Sequence, residues 1–262
     1  MNNNDAIGIF DSGVGGLTVW SEIKKILPNE STVYYADSKN CPYGSKSKEE
    51  VIQLSEKIVQ LLIHKGAKII VVACNTATAA AIDYLRAKYP LPFIGMEPAV
   101  KPAALHTQTG TIGILATEGT INGRLYKETR DRYAAKCNLI VKVGKGLVEL
   151  AEEGDSYSEK ALEAVKKYIK PMIDGNADQI VLGCTHYPYF IDEIRKIIPK
   201  TVIIHNPAPA VARQTKNVMK SSGLLSQAAS KRDDIFYSTT NDGKLKFILK
   251  TNFHIDAQVL FV

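Results

Sequence analysis

Two cysteines stand where a thiol can do chemistry. Cys74 follows the apolar run Ile70-Val71-Val72-Ala73 and precedes Asn75 and Thr76, cap-type residues that open a helical run over 77–85. Cys184 repeats the arrangement: Ile180-Val181-Leu182-Gly183 leads into it, and Thr185 and His186 follow ahead of a helical run over 187–198. A thiol at a strand-to-helix junction faces backbone N–H groups that lack intrahelical partners. That setting lowers a cysteine pKa from about 8.5 toward neutrality, so a base is expected near pH 7. Either cysteine alone reads equally as a small buried hydrophobe. As a pair they read differently, because thiols facing each other across a cleft can take a proton from one face of a carbon and return one to the other. His186 either orients Cys184 or caps its helix, and both readings stand. No CxxC or HxxxH pair completes a tetrahedral site around Cys184 and His186, so no metal is expected.

Asp11-Ser12-Gly13-Val14-Gly15-Gly16 is a glycine-rich turn between a strand and a helix. A dinucleotide fingerprint starting at Gly13 needs glycine where Thr18 stands, and no GxxxxGK[ST] occurs, so a nucleotide site is not expected. The turn instead offers backbone N–H groups and the Ser12 hydroxyl to a small ligand, with Asp11 able to accept from an ammonium group. A tight turn with a helix cap is the alternative. Pro42-Tyr43-Gly44-Ser45 closes a polar loop after the strand ending at Ala36, and Tyr43 there is either surface packing or a ligand contact.

The elements that must position these residues alternate. Apolar β-rich runs at 7–10, 32–36 and 69–73 are separated by helical patterns at 18–26 and 48–65, which argues for parallel strands with crossover helices. The runs at 69–73 and 179–183 are nearly all apolar, as expected of strands covered on both faces. A faint internal repeat follows when strand ends are aligned: Ile7-Gly8-Ile9-Phe10-Asp11-Ser12 with Ile112-Gly113-Ile114-Leu115-Ala116-Thr117, and the Cys74 strand with the Cys184 strand, at nearly one spacing. Two similar α/β domains are expected, each with a mainly parallel sheet flanked by helices and with the site in the cleft between them. The Pro-marked crossings at Glu97-Pro98 and Asn206-Pro207 place one domain at 98–206 and the other at 1–97 plus 207–262.

Composition narrows the function classes. The 262 residues are 45% hydrophobic, enough for a substantial core. Lys and Arg outnumber Asp and Glu by 33 to 27, for a formal charge of +6. The basic residues are dispersed among acids with no arginine–aromatic cluster, so nucleic acid is not expected, while a mild positive field suits a small dicarboxylate. Four widely spaced cysteines do not form a disulfide framework, and neither a signal segment nor a membrane span is visible. A cytoplasmic protein is expected.

Five motifs in order, Asp11-Ser12-Gly13 through Gly16, Pro42-Tyr43-Gly44, Cys74-Asn75-Thr76-Ala77-Thr78, Glu97-Pro98 and Cys184-Thr185-His186-Tyr187-Pro188, resemble those of the bacterial glutamate racemases, within the cofactor-independent aspartate/glutamate racemases. Aspartate racemases typically carry Thr-Glu after the second cysteine, and Thr185-His186 departs from that. The resemblance implies an isomerase that interconverts L- and D-glutamate without a cofactor and supplies D-glutamate for peptidoglycan. Cys74 and Cys184 are its implied acid/base pair, with Asp11, Ser12, Tyr43, Gly44, Asn75, Thr76, Thr185 and His186 around the substrate. Thr117, aligned with Ser12 by the internal repeat, joins them. The resemblance also implies a homodimer. Members activated by a cell-wall precursor carry an N-terminal extension; with a first strand starting near Ile7, such activation is not expected. A racemase of another amino acid such as aspartate, and a periplasmic-type two-domain binder, are the competing classes.

Overall fold

The structure, a computed structural model, describes residues 5–227 and 233–262. Its strands are β1 (Ala6–Asp11), β2 (Thr32–Ala36), β3 (Ala67–Val72), β4 (Phe93–Ile94), β5 (Thr111–Ala116), β6 (Asn138–Val143), β7 (Gln179–Gly183), β8 (Ile203–His205), β9 (Asp234–Ser238) and β10 (Val259–Phe261). They form one sheet in the order β10-β9-β2-β1-β3-β4 and another in the order β6-β5-β7-β8. Every strand pair among the described residues is parallel. Parallel neighbours need a long crossover, and helices Leu17–Ile26, Lys48–His64 and Asn75–Lys88 supply it in the first sheet. Two parallel-sheet α/β sets result, as the alternation of patterns led us to expect.

The internal repeat is also a repeat of topology. Second, first, third and fourth strands lie side by side in both sets, as β2-β1-β3-β4 and as β6-β5-β7-β8. Side chains of the central strands alternate between two cores, as the period of a strand dictates. In β3, Ile69 and Val71 enter the large core shared by the two sets, while Ile70 and Val72 enter the outer core of the first sheet. In β7, Ile180 and Leu182 join the shared core and Val181 the outer core of the second. The helix Ala208–Ser221 returns to pack on Leu17–Ile26, and β9 and β10 then extend the first sheet.

Two details depart from the apolar pattern. Residues 187–198 are not one helix: a 3-10 turn, Tyr187–Phe190, precedes a short helix, Ile191–Ile197, where Pro188 cannot donate to a helical ladder. Lys68 lies buried in β3, its Nζ 2.7 Å from Glu30 Oε2. No helix among the described residues is long and apolar enough to cross a membrane.

Candidate functional site

In each set the neighbours of the first strand diverge, the second strand to one side and the third to the other. The carboxyl ends of first and third strands therefore flank a crevice, where open parallel sheets bind ligands. Asp11 ends β1 and Ser12 follows it, while Cys74 lies just past β3. In the second set Thr117 follows β5 and Cys184 follows β7. Two crevices, each with a hydroxyl and a thiol, face each other.

Cys74 is the N-cap of helix Asn75–Lys88, and its Sγ accepts from the Ala77 N–H at 3.4 Å. Its thiol also reaches Ser12 Oγ at 3.9 Å. The helix start thus pulls the thiol in the expected direction, but it does not win. Burial pushes Cys74 well above the ordinary cysteine value, the charge of Asp11 adds to that, and the hydrogen bonds from Ala77 and Ser12 offset only part. Cys74 therefore rests as a thiol, which corrects the expectation of a base poised near pH 7.

Cys184 has a different neighbourhood. His186 Nδ1 lies 3.7 Å from Cys184 Sγ, and His186 Nε2 lies 2.6 Å from Glu152 Oε1. Burial works against charging this imidazole. Hydrogen bonds with Cys184, Cys41 and Glu152, together with the carboxylate's charge, outweigh it and raise His186 well above the usual histidine value. His186 makes no side-chain capping bond to the turn it begins; its ring contacts the Cys184 sulfur instead.

The turn after β1 is more occupied than its glycines suggest. Asp11 Oδ2 accepts from the Gly13 and Gly16 N–H groups, each at 3.1 Å, and Thr185 Oγ1 donates to Asp11 Oδ1 at 3.2 Å. The Val14 N–H is taken by Glu152 Oε1 at 2.7 Å. These N–H groups are thus spent on the protein's own carboxylates, and Asp11 stands behind the cavity lining with its charge close to Cys74. Asp11 is fully enclosed, and its pKa is raised to about 6: burial is the largest cause, the charge of Glu152 adds to it, and His186 and the two backbone donors pull against it. Glycine is required here by close approach. A Cβ at Gly13 would collide with the Glu152 carboxylate, and one at Gly15 would sit 2.5 Å from His186 Nδ1.

Between the thiols lies a small cavity with about 250 Å³ of space not filled by atoms. That figure takes in space open to solvent; the room for a water-sized sphere is only about 10 Å³, so an amino acid enters only when the site widens. Ser12, Tyr43, Gly44, Cys74, Asn75, Thr76, Thr117, Cys184, Thr185 and His186 line it, joined by Pro42 and Val148. All the residues singled out from sequence except Asp11 thus reach one cavity. Tyr43 is buried and donates to Asp37 Oδ2 at 2.5 Å, so it is no surface residue. Thr76 Oγ1 and Thr117 Oγ1 lie 2.9 Å apart, a hydrogen bond from one set to the other. Asn75 Oδ1 is buried without a hydrogen-bond partner, an acceptor left for a ligand. Chemically the cavity offers two sulfurs from opposite sides, hydroxyls between them and a proton-bearing imidazole at one end. Sequence reasoning missed Glu152. It ends a short helix, Leu147–Glu152, inside no motif, and only the fold brings it to His186.

Residues 12–215 match the Asp/Glu/hydantoin racemase family. Among curated proteins, the glutamate racemase of Herpetosiphon aurantiacus is 44% identical over 236 residues, covering 90% of this chain and 92% of its own. Among solved structures, glutamate racemase isoform RacE1 from Bacillus anthracis superposes with a TM-score of 0.89 at 30% identity, over 100% of this chain and 98% of that one. The glutamate racemase of Francisella tularensis, solved with D-glutamate, superposes with a TM-score of 0.86 at 29% identity, over 100% and 98%.

Proposed function

The chain belongs to the Asp/Glu/hydantoin racemase family, and within it to the glutamate racemases, and we propose that it interconverts L- and D-glutamate by passing the α-proton between Cys74 and Cys184. One observation carries the reading: two buried thiols, each just beyond the third strand of its own set, line the same small cavity. They are near enough for the charge of Cys184 to push Cys74 upward.

In this scheme one sulfur removes the α-proton while the other delivers a proton to the opposite face, through a transition state with carbanion character. Cys74 takes the proton of D-glutamate and Cys184 that of L-glutamate. The protonated imidazole at His186 Nδ1 serves the Cys184 side. On the other side, the substrate's ammonium group offsets the field of Asp11, which otherwise holds Cys74 protonated. Asn75, Thr76, Thr117 and Thr185 present fixed polar groups to the substrate, and they act in a cavity from which bulk water is excluded.

A cavity this small requires the two sets to part for a substrate to enter. We propose 98–206 and 1–97 plus 207–262 as the units that move, supported by the division of the strands between the two sheets and by the return of the helix Ala208–Ser221 to pack on the first set. The bound D-glutamate of the Francisella relative supports glutamate as the substrate. Family membership likewise supports a homodimer in the cytoplasm and the supply of D-glutamate to peptidoglycan. The test is circular dichroism of L-glutamate with purified protein and no added cofactor. Decay of the signal to zero is expected, and it survives EDTA. A need for pyridoxal phosphate, or comparable kcat/KM for aspartate, overturns the reading.

A further inference from the structure

We propose that Cys41, Glu152 and His186 form an inhibitory binding site for Zn2+. A thiol sulfur, a carboxylate oxygen and an imidazole nitrogen, one from each residue, all lie within 4.8 Å of one another. Tetrahedral zinc holds such donors at about 2.0–2.3 Å, which places them roughly 3.3–3.8 Å apart. The cluster is therefore about one ångström from a coordination shell, a distance that side-chain rotation covers. Glu152 is already braced by the Val14 N–H at 2.7 Å, and His186 is 1% exposed. The donor set selects the metal: thiol, imidazole and carboxylate together favour zinc over magnesium or calcium, which take oxygen ligands. Three protein ligands leave a fourth position open.

The sequence excluded a metal because no ligand pair has zinc spacing. These donors lie at positions 41, 152 and 186 and converge only in the fold. Cys41 does not line the cavity; it sits beside it, its Sγ 4.0 Å from Ser12 Oγ. A bound ion would do two things. It would draw the His186 ring away from Cys184, 3.7 Å distant, and it would tie the loop bearing Cys41 in the first set to Glu152 and His186 in the second. Racemisation then stops both because a positioned proton carrier is lost and because the cleft cannot open.

The site is read by metal binding, so it is tested separately from the racemase reading. Metal-free protein is titrated with Zn2+ against a chromophoric chelator, and in parallel with Co2+, whose thiolate-to-metal absorption band reports a cysteine ligand. One equivalent is expected to bind, with racemisation lost in step and restored by EDTA. Cys41→Ser should lose the cobalt–thiolate band and, with inhibition referred to its own metal-free rate, require roughly tenfold or more Zn2+. Glu152→Gln, followed by chelator competition alone, should weaken zinc by a similar factor, and it decides the matter if Cys41→Ser does not fold. The proposal is overturned if wild-type protein binds no stoichiometric zinc. It is equally overturned if Cys41→Ser is inhibited at the wild-type concentration, because the metal then sits on Cys74 and Cys184.

Discussion

Glu152 Oε1 lies 2.6 Å from His186 Nε2 and accepts the Val14 N–H as well, so a single carboxylate oxygen ties the imidazole beside Cys184 to the first turn of the opposite set. Glu152→Gln keeps the shape and removes the charge that helps hold His186 above the usual histidine pKa. His186 should then lose its proton at lower pH, and the alkaline limb of the kcat/KM profile should move down with it. At the optimum a loss of about tenfold to a hundredfold is expected, within the range for acid–base groups. It must be equal in both directions, since the equilibrium constant between enantiomers is one. An unchanged profile would show that the carboxylate only packs against the ring.

Much of this arrangement was legible in the sequence, and the reasons are specific. The strands bearing Cys74 and Cys184 declared themselves by apolar runs too continuous for a one-sided sheet. Equivalent placement in a repeat then suggested that the thiols face each other. What escaped was long-range polar pairing: Glu152 with His186, Thr185 with Asp11, Lys68 with Glu30. Glu152, Glu30 and Lys68 lie in no motif, and even Asp11, Thr185 and His186, which do, meet their partners only through contacts between distant segments. The misjudged pKa of Cys74 has the same origin. A helix start is local and readable, whereas full burial beside Asp11 is a property of the assembled fold.

Gly15→Ala tests the close approach. The added methyl would meet His186 Nδ1 at 2.5 Å and Thr185 Oγ1 at 2.7 Å, so the ring must swing away from Cys184. Stability should fall by about 1–3 kcal/mol, as for other overpacked sites. Activity should fall by about two orders of magnitude even where the protein stays folded, because reacting groups tolerate little displacement. Thermal melting and kcat measured side by side check this; wild-type kcat with a lowered Tm would contradict it.

Asp11→Asn tests the buried carboxyl. With its pKa raised from 3.8 to about 6, Asp11 binds its proton more tightly in the folded than in the unfolded chain. Its favourable contribution is full below pH 3.8 and is lost as pH rises through about 6. The unfolding free energy of the wild type, read from urea titrations, should therefore fall between about pH 4 and 6 relative to the variant, by an amount on the order of 3 kcal/mol. The variant should also alkylate faster at Cys74 near neutral pH, because the Asp11 charge that raises this thiol is gone. Parallel stability curves over that range would mean that Asp11 titrates as an ordinary carboxyl.

Division of labour between the thiols is the sharpest test of the mechanism. Each sulfur approaches the cavity from its own set, Cys74 beside Ser12 and Cys184 beside His186, so each should serve one face of the α-carbon. In Cys184→Ala, racemisation needs both faces and should fall by orders of magnitude in both directions, as when one member of a catalytic unit is removed. Cys74 remains in place. In deuterated water it can still take the α-proton of D-glutamate, exchange with solvent and return deuterium to the same face, giving exchange without inversion. L-Glutamate should show almost none, and Cys74→Ala should reverse the preference. His186 sharpens the contrast, because its ring reaches Cys184 and can relay protons to it, whereas Cys74 pairs with Ser12 and the Ala77 N–H. Exchange of L-glutamate by Cys74→Ala should therefore be the faster of the two surviving reactions. Loss of the α-proton NMR signal, followed for each pure enantiomer with each variant, reads the whole pattern. Equal exchange of both enantiomers by either variant would mean that one base reaches both faces, and the two-thiol mechanism would be wrong.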